Sequence, residues 1–177
     1  MNNALANLKA RGFFSQCTDV DRLSAAMDRG PVTFYVGCDP TGPSLHIGHM
    51  VPFFAFRHLK AAGHRGIALI GGGTARIGDP SGKTEMRRVL SYETLDANAA
   101  SIAAQLSRFL GAGHGAPDGS GAAGGVNNNA DGGAGALRFA NNRDWLADLN
   151  YIDFLREIGR HFSVNRMLSF EAYKLRL

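Results

Sequence analysis

Two histidines at the start of a predicted helix are the side chains of this 177-residue chain best suited to binding phosphate groups. His46 and His49 lie three positions apart, so they share one face of a helix and both imidazoles can reach phosphate oxygens. The N-terminus of a helix also favours anions, because its free N–H groups and the helix dipole carry positive partial charge. The pair therefore predicts a nucleotide phosphate site where the helix begins.

The elements around the histidines place them at the carboxyl end of a buried strand. Residues 31–39 alternate apolar side chains and predict a strand, and the turn residues of 39–43 end it. An apolar helix is predicted over 46–63 and ends at Gly63. In open α/β sheets, ligands bind just beyond the carboxyl ends of the strands, which is where this turn lies.

The elements that follow extend this unit into a parallel sheet. A second strand is predicted over 67–70, and a strand–helix–strand order implies a parallel pair with a right-handed crossover. Ser91 is predicted to cap a long helix that reaches Leu110 and has an apolar side. We therefore predict the α/β class, with a Rossmann-like parallel sheet as the nucleotide-binding half.

The chain divides into four predicted parts. A helical arm at 1–30 precedes the first half of a Rossmann-like catalytic domain at 31–110. We expect a flexible glycine-rich insertion at 111–137, because its small and polar residues cannot bury an apolar core. Residues 138–177 predict a helical connective segment with two amphipathic helices, truncated where the chain stops.

Composition and charge limit the classes of protein to which the chain can belong. The net charge of +4 suits contact with nucleotides or RNA as well as an ordinary soluble protein, and the scattered cations predict no autonomous RNA-binding tail. Cys17 and Cys38 form neither a metal-binding pair nor a disulfide framework, so we expect a reducing, cytoplasmic setting. No run approaches the ~18 apolar residues of a membrane span, and we expect no membrane anchor.

The segment from His46 to His49, His-Ile-Gly-His, resembles the first signature of class I aminoacyl-tRNA synthetases, in a setting similar to that of bacterial tyrosyl-tRNA synthetases. Segments 78–83, 141–145 and 161–165 resemble the same family in the same order. The resemblance implies the amino-terminal portion of such an enzyme. The family activates tyrosine with ATP to tyrosyl-adenylate and transfers it to tRNA(Tyr).

The resemblance implies roles in ATP binding and catalysis. Thr41 and His46 would contact the terminal phosphates, and His49 would lie near the ribose or the α-phosphate. Lys83 and Arg87 would place two cations on the pyrophosphate. The complete set implied to bind ATP is Gly37, Asp39, Thr41, His46, Gly48 and His49.

Tyrosine recognition is implied by a second group of residues. Tyr35 would hydrogen-bond the substrate phenol, although an aromatic strand residue taken alone would be assigned to the core. Gly37 and Asp39 share its strand face, because side chains alternate along a strand. Asp79 would pair with the substrate ammonium group.

Partners and cofactors follow from the same resemblance. We expect L-tyrosine, tRNA(Tyr), and ATP accompanied by Mg²⁺, and no protein-held metal site, because the sequence shows no carboxylate cluster. A homodimer is implied, with an apolar stripe near the subunit interface. A plain core stripe fits the same spacing. Its residues are Phe154, Leu155, Ile158 and Phe162.

Other interpretations stay open at this point. Tryptophanyl-tRNA synthetase is the close relative, and small nucleotidyltransferases share the histidine signature. A truncated paralogue could bind nucleotide or RNA without catalysis. The second half of the family's site is missing from the sequence, so we expect the 177-residue chain alone to lack full activity.

Overall fold

The computed structural model describes residues 1–77, 90–111 and 134–169. The helices and strands of these ranges are, in chain order, α1 (Asn3–Ala10), α2 (Val20–Arg29), β1 (Thr33–Cys38), α3 (Ile47–Ala61), β2 (Arg65–Ile70), α4 (Tyr92–Leu110), β3 (Leu137–Asn141), α5 (Arg143–Leu146), α6 (Tyr151–Glu157) and α7 (Val164–Leu168). Short 3-10 turns cover Thr74–Arg76 and Gly159–His161. None of these helices is long and apolar enough to cross a membrane.

The three strands form one parallel sheet in the order β1-β2-β3. The predicted parallel pairing of the first two strands is confirmed. The third strand was not predicted, since we expected residues 138–177 to be helical. The strand at Leu137–Asn141 has only five residues, and its pairing with β2 is a contact between distant parts of the chain. Local periodicity therefore carried too little information to identify it.

One face of the sheet packs against α3 and α4. Phe34, Val36 and Cys38 of β1 point into this core, where Phe56 of α3 and Leu106 of α4 are fully buried. Because side chains alternate along a strand, the residues between them point to the opposite face. The face of β1 that the resemblance assigned to tyrosine is therefore the exposed one.

Helix ends follow the predicted capping chemistry. Ser91 accepts a hydrogen bond from the Thr94 N–H at 3.2 Å, and α4 runs to Leu110 as expected. In the arm, Asp19 accepts from the Arg22 N–H at 2.9 Å and opens α2. The arm packs its own apolar cluster against the last turns of α3.

The predicted insertion falls largely on residues 112–133, which lie outside the described ranges. Its described flanks both contact the end of α3. Lys60 Nζ donates to the Leu110 carbonyl oxygen at 2.8 Å, and the Gly135 N–H donates to the Gly63 carbonyl oxygen at 3.0 Å. Leu137, the last residue of the predicted insertion, is the first residue of β3.

The last described part is helical but largely exposed. Helices were expected at 151–162 and 163–177. The first is α6 followed by a 3-10 turn, and the second is capped by Ser163 and described up to Leu168. Large apolar side chains on this part face solvent rather than a core. The exposed ones are Trp145, Leu149, Tyr151, Ile152, Phe154, Leu155, Ile158, Phe162, Val164 and Leu168.

His64, which follows α3, is buried and accepts a hydrogen bond from the chain just before β1. Its side chain is 4% exposed, and its Nδ1 accepts from the Val32 N–H at 3.3 Å, just before β1. Burial lowers the pKa of His64 below its ordinary value of 6.5. Protonation would leave a buried charge and remove the acceptor, so the folded state disfavours it.

The His64 environment predicts that acid weakens the fold. Above about pH 6.5 the ring is neutral in both states, and below it the unfolded chain takes up the proton first, so the free energy of unfolding falls. We expect urea denaturation at about pH 7.5 and about pH 5.5 to show a smaller loss in His64→Asn than in the unsubstituted protein. His161→Asn, which replaces an exposed histidine, should keep the full loss. An identical loss in all three proteins would contradict this prediction.

Candidate active site

The loop between β1 and α3 is held in place by two amides of α4. Asn98 Nδ2 donates to the Pro40 carbonyl oxygen at 3.1 Å. Gln105 makes a reciprocal pair with Leu45, accepting from its N–H at 2.9 Å and donating to its carbonyl oxygen at 3.1 Å. Both ends of the loop are therefore fixed to the same helix.

Sequence analysis missed these two amides, although a signal was present. Asn98 and Gln105 are seven positions apart on the side of α4 that also carries Leu95 and Ile102. Polar residues within a buried helix stripe need hydrogen-bond partners, and loop carbonyl and amide groups are the usual ones. The interrupted stripe thus indicated a loop docked on the helix.

His46 is the N-cap of α3. Its Nδ1 accepts from the Gly48 N–H at 3.1 Å. The neutral ring therefore carries its proton on Nε2, which is left to donate to another group. The His46 and His49 rings stack with centroids 3.6 Å apart and an interplanar angle of 21°. The predicted sharing of one helix face is confirmed.

Gly48 is needed because the His46 ring folds back over it. A Cβ at position 48 would lie 3.0 Å from His46 Cε1 and 3.2 Å from its Nδ1. The resemblance placed the nucleotide close to this glycine. The structure adds a local reason, since a Cβ at position 48 would be in tight contact with the His46 ring that caps the helix.

The exposed face of β1 presents Tyr35, Gly37 and Asp39 in a row. Tyr35 is 69% exposed, so its hydroxyl is open to a ligand rather than buried in the core. Beyond Asp39, the Thr41 N–H donates to the Asp39 carbonyl oxygen at 2.9 Å and turns the chain towards α3. Asp39 and the histidine helix therefore follow the carboxyl end of β1, and Tyr35 lies further back on the same exposed face of the strand.

A chain of hydrogen bonds orients the Asp39 carboxylate. Asn142 Nδ2 donates to Thr74 Oγ1 at 3.0 Å, and Thr74 Oγ1 lies 2.8 Å from Asp39 Oδ1. The Gly71 carbonyl oxygen is 3.2 Å from the same hydroxyl. The single hydroxyl proton goes to the carboxylate, because that acceptor is charged and closer. Thr74 and Asn142 had not been assigned this role from the sequence.

The three glycines after β2 leave room for this chain. A Cβ at Gly71 would collide with Asp39 Oδ1 and lie 2.7 Å from Thr74 Oγ1. A Cβ at Gly72 would lie 2.5 Å from Asn141 Oδ1, which accepts the Gly72 N–H at 3.2 Å. Because Gly71 and Gly72 lack side chains, the side chains of Asp39, Thr74 and Asn141 can approach the backbone closely at the end of β2.

Cys38 does not supply a nucleophile at this site. Burial, with a smaller contribution from the Asp39 charge, raises the pKa of its thiol to about 11. The thiol packs towards the core and stays protonated at neutral pH. The other side chains on the exposed face can therefore donate hydrogen bonds, accept hydrogen bonds and pair with charged groups.

Three predicted site residues, Asp79, Lys83 and Arg87, lie outside the described residues. Among the described residues, no group of three or more His, Cys, Asp or Glu side chains could hold a metal ion.

The sequence that forms this site matches a known protein family. A sequence model of the family described as tRNA synthetases class I (W and Y) matches residues 27–177. The tyrosine–tRNA ligases of Treponema denticola and Treponema pallidum are 60% and 61% identical to this chain over all 177 residues. That of Clostridium tetani is 46% identical over 176 residues. The chain spans 39%, 38% and 38% of these relatives, and it matches their amino-terminal part.

Solved structures agree with the sequence match. A C-terminally truncated mitochondrial tyrosyl-tRNA synthetase from Aspergillus nidulans superposes with a TM-score of 0.78 at 29% identity, covering 98% of this chain and 46% of that one. The corresponding protein from Coccidioides posadasii gives 0.74 at 30% identity, covering 98% and 44%. The predicted α/β, Rossmann-like fold class is confirmed. With these matches over the same strands, turn and histidine helix, the chain belongs to the tRNA synthetases class I (W and Y).

Proposed function

We propose that this chain is the ATP- and tyrosine-binding first part of an enzyme that activates tyrosine as tyrosyl-adenylate and transfers it to tRNA(Tyr). The observation that carries the proposal is the order of two groups of side chains along consecutive elements. The exposed row of Tyr35, Gly37 and Asp39 is followed, after the loop of residues 40–45, by the capped helix with His46 and His49. The activity is proposed for the protein that contains this chain, since the chain spans only 38–39% of its relatives.

The reaction needs alignment rather than a protein nucleophile. A carboxylate oxygen of tyrosine attacks the α-phosphorus of ATP, and the bond to the bridging oxygen of pyrophosphate breaks. Negative charge grows on the α-phosphate and on the leaving group, so positioned donors stabilise the transition state. His46 is one such donor, because its Nδ1 is used in capping and its Nε2–H is free for phosphate. The His49 ring stacks on the His46 ring with centroids 3.6 Å apart. Thr41 is proposed from the family resemblance as a further phosphate contact.

We propose that the substrate tyrosine binds over the exposed face of β1. Tyr35 offers a hydroxyl that can both donate to and accept from the substrate phenol. Gly37 carries no side chain to obstruct a ring lying over the strand, and Asp39 is held by Thr74. A site built to hydrogen-bond a hydroxyl rejects the analogue that lacks it, and tyrosyl-tRNA synthetases are the established example.

The other contacts are proposed from the family resemblance. Asp79 would take the ammonium group of tyrosine, and Lys83 with Arg87 would neutralise the pyrophosphate. Mg²⁺ would arrive bound to ATP as part of the substrate. We further propose a cytoplasmic location, since charged tRNA is used in translation and the two cysteines are free thiols.

A homodimer is proposed from the exposed apolar surface of the last helices. Phe154, Leu155, Ile158 and Phe162 all face solvent, at exposures of 37–62%. The core interpretation of this stripe is therefore not supported within the described residues. Apolar surfaces of this kind mark association sites, and a symmetric pair of copies would cover one with the other.

Amino-acid-dependent exchange of pyrophosphate into ATP, measured on the whole protein that contains this chain, tests the proposed activity. We expect exchange with tyrosine and none with tryptophan, which separates the two members of the family. Tyr35→Phe should lower kcat/KM for tyrosine by about 3- to 10-fold, the value of one hydrogen bond, and leave KM for ATP unchanged. Thr33→Val, which removes an exposed hydroxyl from the same strand face, should have no effect. Exchange with neither amino acid would favour a non-catalytic nucleotide-binding protein.

The two functions of His46 can be separated by one substitution. Asparagine keeps the capping acceptor but lacks an atom at the Nε2 position. His46→Asn should therefore lower kcat by about 10²- to 10³-fold and leave the melting temperature unchanged. His58→Asn, in the last turn of the same helix, serves as the control. A parallel loss of stability and activity in His46→Asn would show that the residue acts only through the helix.

Light scattering tests the proposed dimer. The unsubstituted protein should have twice the mass of one chain. A carboxylate at Phe162 would be buried in the interface, so Phe162→Glu should give the mass of one chain. Val51→Glu places the same charge at an exposed apolar position on α3 and should remain dimeric. A dimer that persists in Phe162→Glu would place the interface elsewhere.

A further inference from the structure

The β1–α3 loop, residues 40–45, is bonded near each of its ends to a side-chain amide of α4. Asn98 donates to the Pro40 carbonyl oxygen at 3.1 Å, and Gln105 pairs with both backbone groups of Leu45, at 2.9 and 3.1 Å. Within the part of the chain that the structure describes, backbone groups of the loop make one hydrogen bond to other backbone groups. The path of the loop therefore depends on the two amides.

Each of the two bonded loop residues is buried and directly precedes an exposed residue that is proposed to contact phosphate. Pro40 is fully buried and Leu45 is 8% exposed, whereas Thr41 and His46 are exposed. The peptide group is planar, so the carbonyl oxygen of one residue shares a plane with the N–H and Cα of the next. A hydrogen bond to the Pro40 carbonyl therefore orients the backbone of Thr41, and one to the Leu45 carbonyl orients that of His46.

The backbone at position 46 decides where the imidazole of His46 lies. The residue has extended backbone angles as the N-cap of α3, and its Nδ1 accepts from the Gly48 N–H at 3.1 Å. A tilt of the peptide plane between Leu45 and His46 would break this cap or move Nε2. Either change would displace the donor that is proposed for phosphate.

Helix α4 can fix the loop because the core fixes the helix. Leu95, Ile102 and Leu106 are buried and place α4 against the rest of the domain. Side chains seven positions apart lie on one face of a helix, and seven residues rise about 10 Å along its axis. The spacing of Asn98 and Gln105 therefore sets the separation of the two peptide planes that they hold.

We propose that Asn98 and Gln105 are positioning residues for adenylate formation, which hold Thr41 and His46 in place for the phosphates of ATP. Donors stabilise a transition state best when they are already in place, and a displacement of about 1 Å can lower the rate by about 10²-fold. The strand β1, which carries the exposed row assigned to tyrosine, is held by its pairing with β2 instead. The amides should therefore affect catalysis and not tyrosine binding. This effect on catalysis rests on the proposed function.

Hydrogen exchange tests the contact without catalysis. In the whole protein that contains this chain, Gln105→Met keeps the length of the side chain and removes both hydrogen bonds to Leu45. The amides of Leu45 and Gly48 should then exchange about fivefold faster, the value of one typical hydrogen bond, in mass spectrometry of the peptides that cover them. Ser101→Met places the same side chain at an exposed position of α4 and should leave this exchange unchanged. Equal exchange in Gln105→Met and the unsubstituted protein would overturn the proposal.

Pyrophosphate exchange with the same variants tests the positioning role. Gln105→Met should lower kcat by about tenfold and leave KM for tyrosine unchanged, because the phosphate donors move and the exposed row of β1 does not. Ser101→Met should match the unsubstituted protein. A side chain that only satisfied buried backbone groups would change the melting temperature and not kcat, and that result would contradict the positioning role.

A double-substitution cycle identifies the residue through which Gln105 acts. In a His46→Asn background, Gln105→Met should cause little further loss of kcat, because the donor that it positions is gone. Asn98→Leu leaves the Pro40 carbonyl without its partner and should keep its full effect there, since it acts through Thr41. Full additivity of His46→Asn and Gln105→Met would exclude action through His46. If the unsubstituted protein exchanges no pyrophosphate, the proposed function fails and the catalytic role with it, while hydrogen exchange still decides the contact.

Discussion

The edge of the sheet that carries the candidate active site depends on one short chain of hydrogen bonds. Asp39 follows β1, Thr74 follows β2 and Asn142 follows β3, so the bonds from Asn142 to Thr74 and from Thr74 to Asp39 connect the ends of all three strands. The charged carboxylate at the end makes the last bond the strongest, and each bond polarises the next. Gly71 is required beside it, because any side chain there would displace the carboxylate.

Helix α4 stabilises the same edge from the core side. The loop from Asp39 to Leu45 contains backbone groups that no strand or helix partner satisfies, and a buried carbonyl without a partner is costly. Asn98 and Gln105 supply partners while the apolar residues around them pack against the sheet. Packing and loop geometry are therefore coupled, because the helix cannot shift without breaking the hydrogen bonds of the loop.

Contacts of the site between residues close in sequence could be predicted, whereas contacts between distant residues could not. The placement of His46 and His49 on one face at the start of α3 was predicted correctly, because a cap and a shared helix face depend on residues two or three positions apart. The partners missed from the sequence act over much longer separations. Asn98 reaches a carbonyl 58 positions away, and Asn142 reaches Thr74 across 68. A polar residue within an apolar helix stripe indicates that it needs a hydrogen-bond partner, but no local pattern tells which distant residue supplies that partner.

By itself, the sequence determined the first two strands, the histidine helix and the capped α4, with the family to which they belong. Periodicity, capping residues and short motifs are properties of neighbouring residues, so they can be read without coordinates. Only the tertiary structure decided that Leu137–Asn141 forms a third strand, that amides of α4 hold the β1–α3 loop, and that Asn142 meets Thr74. These contacts exist because the helices and strands pack in one arrangement, and each joins parts of the chain whose proximity no local pattern specifies.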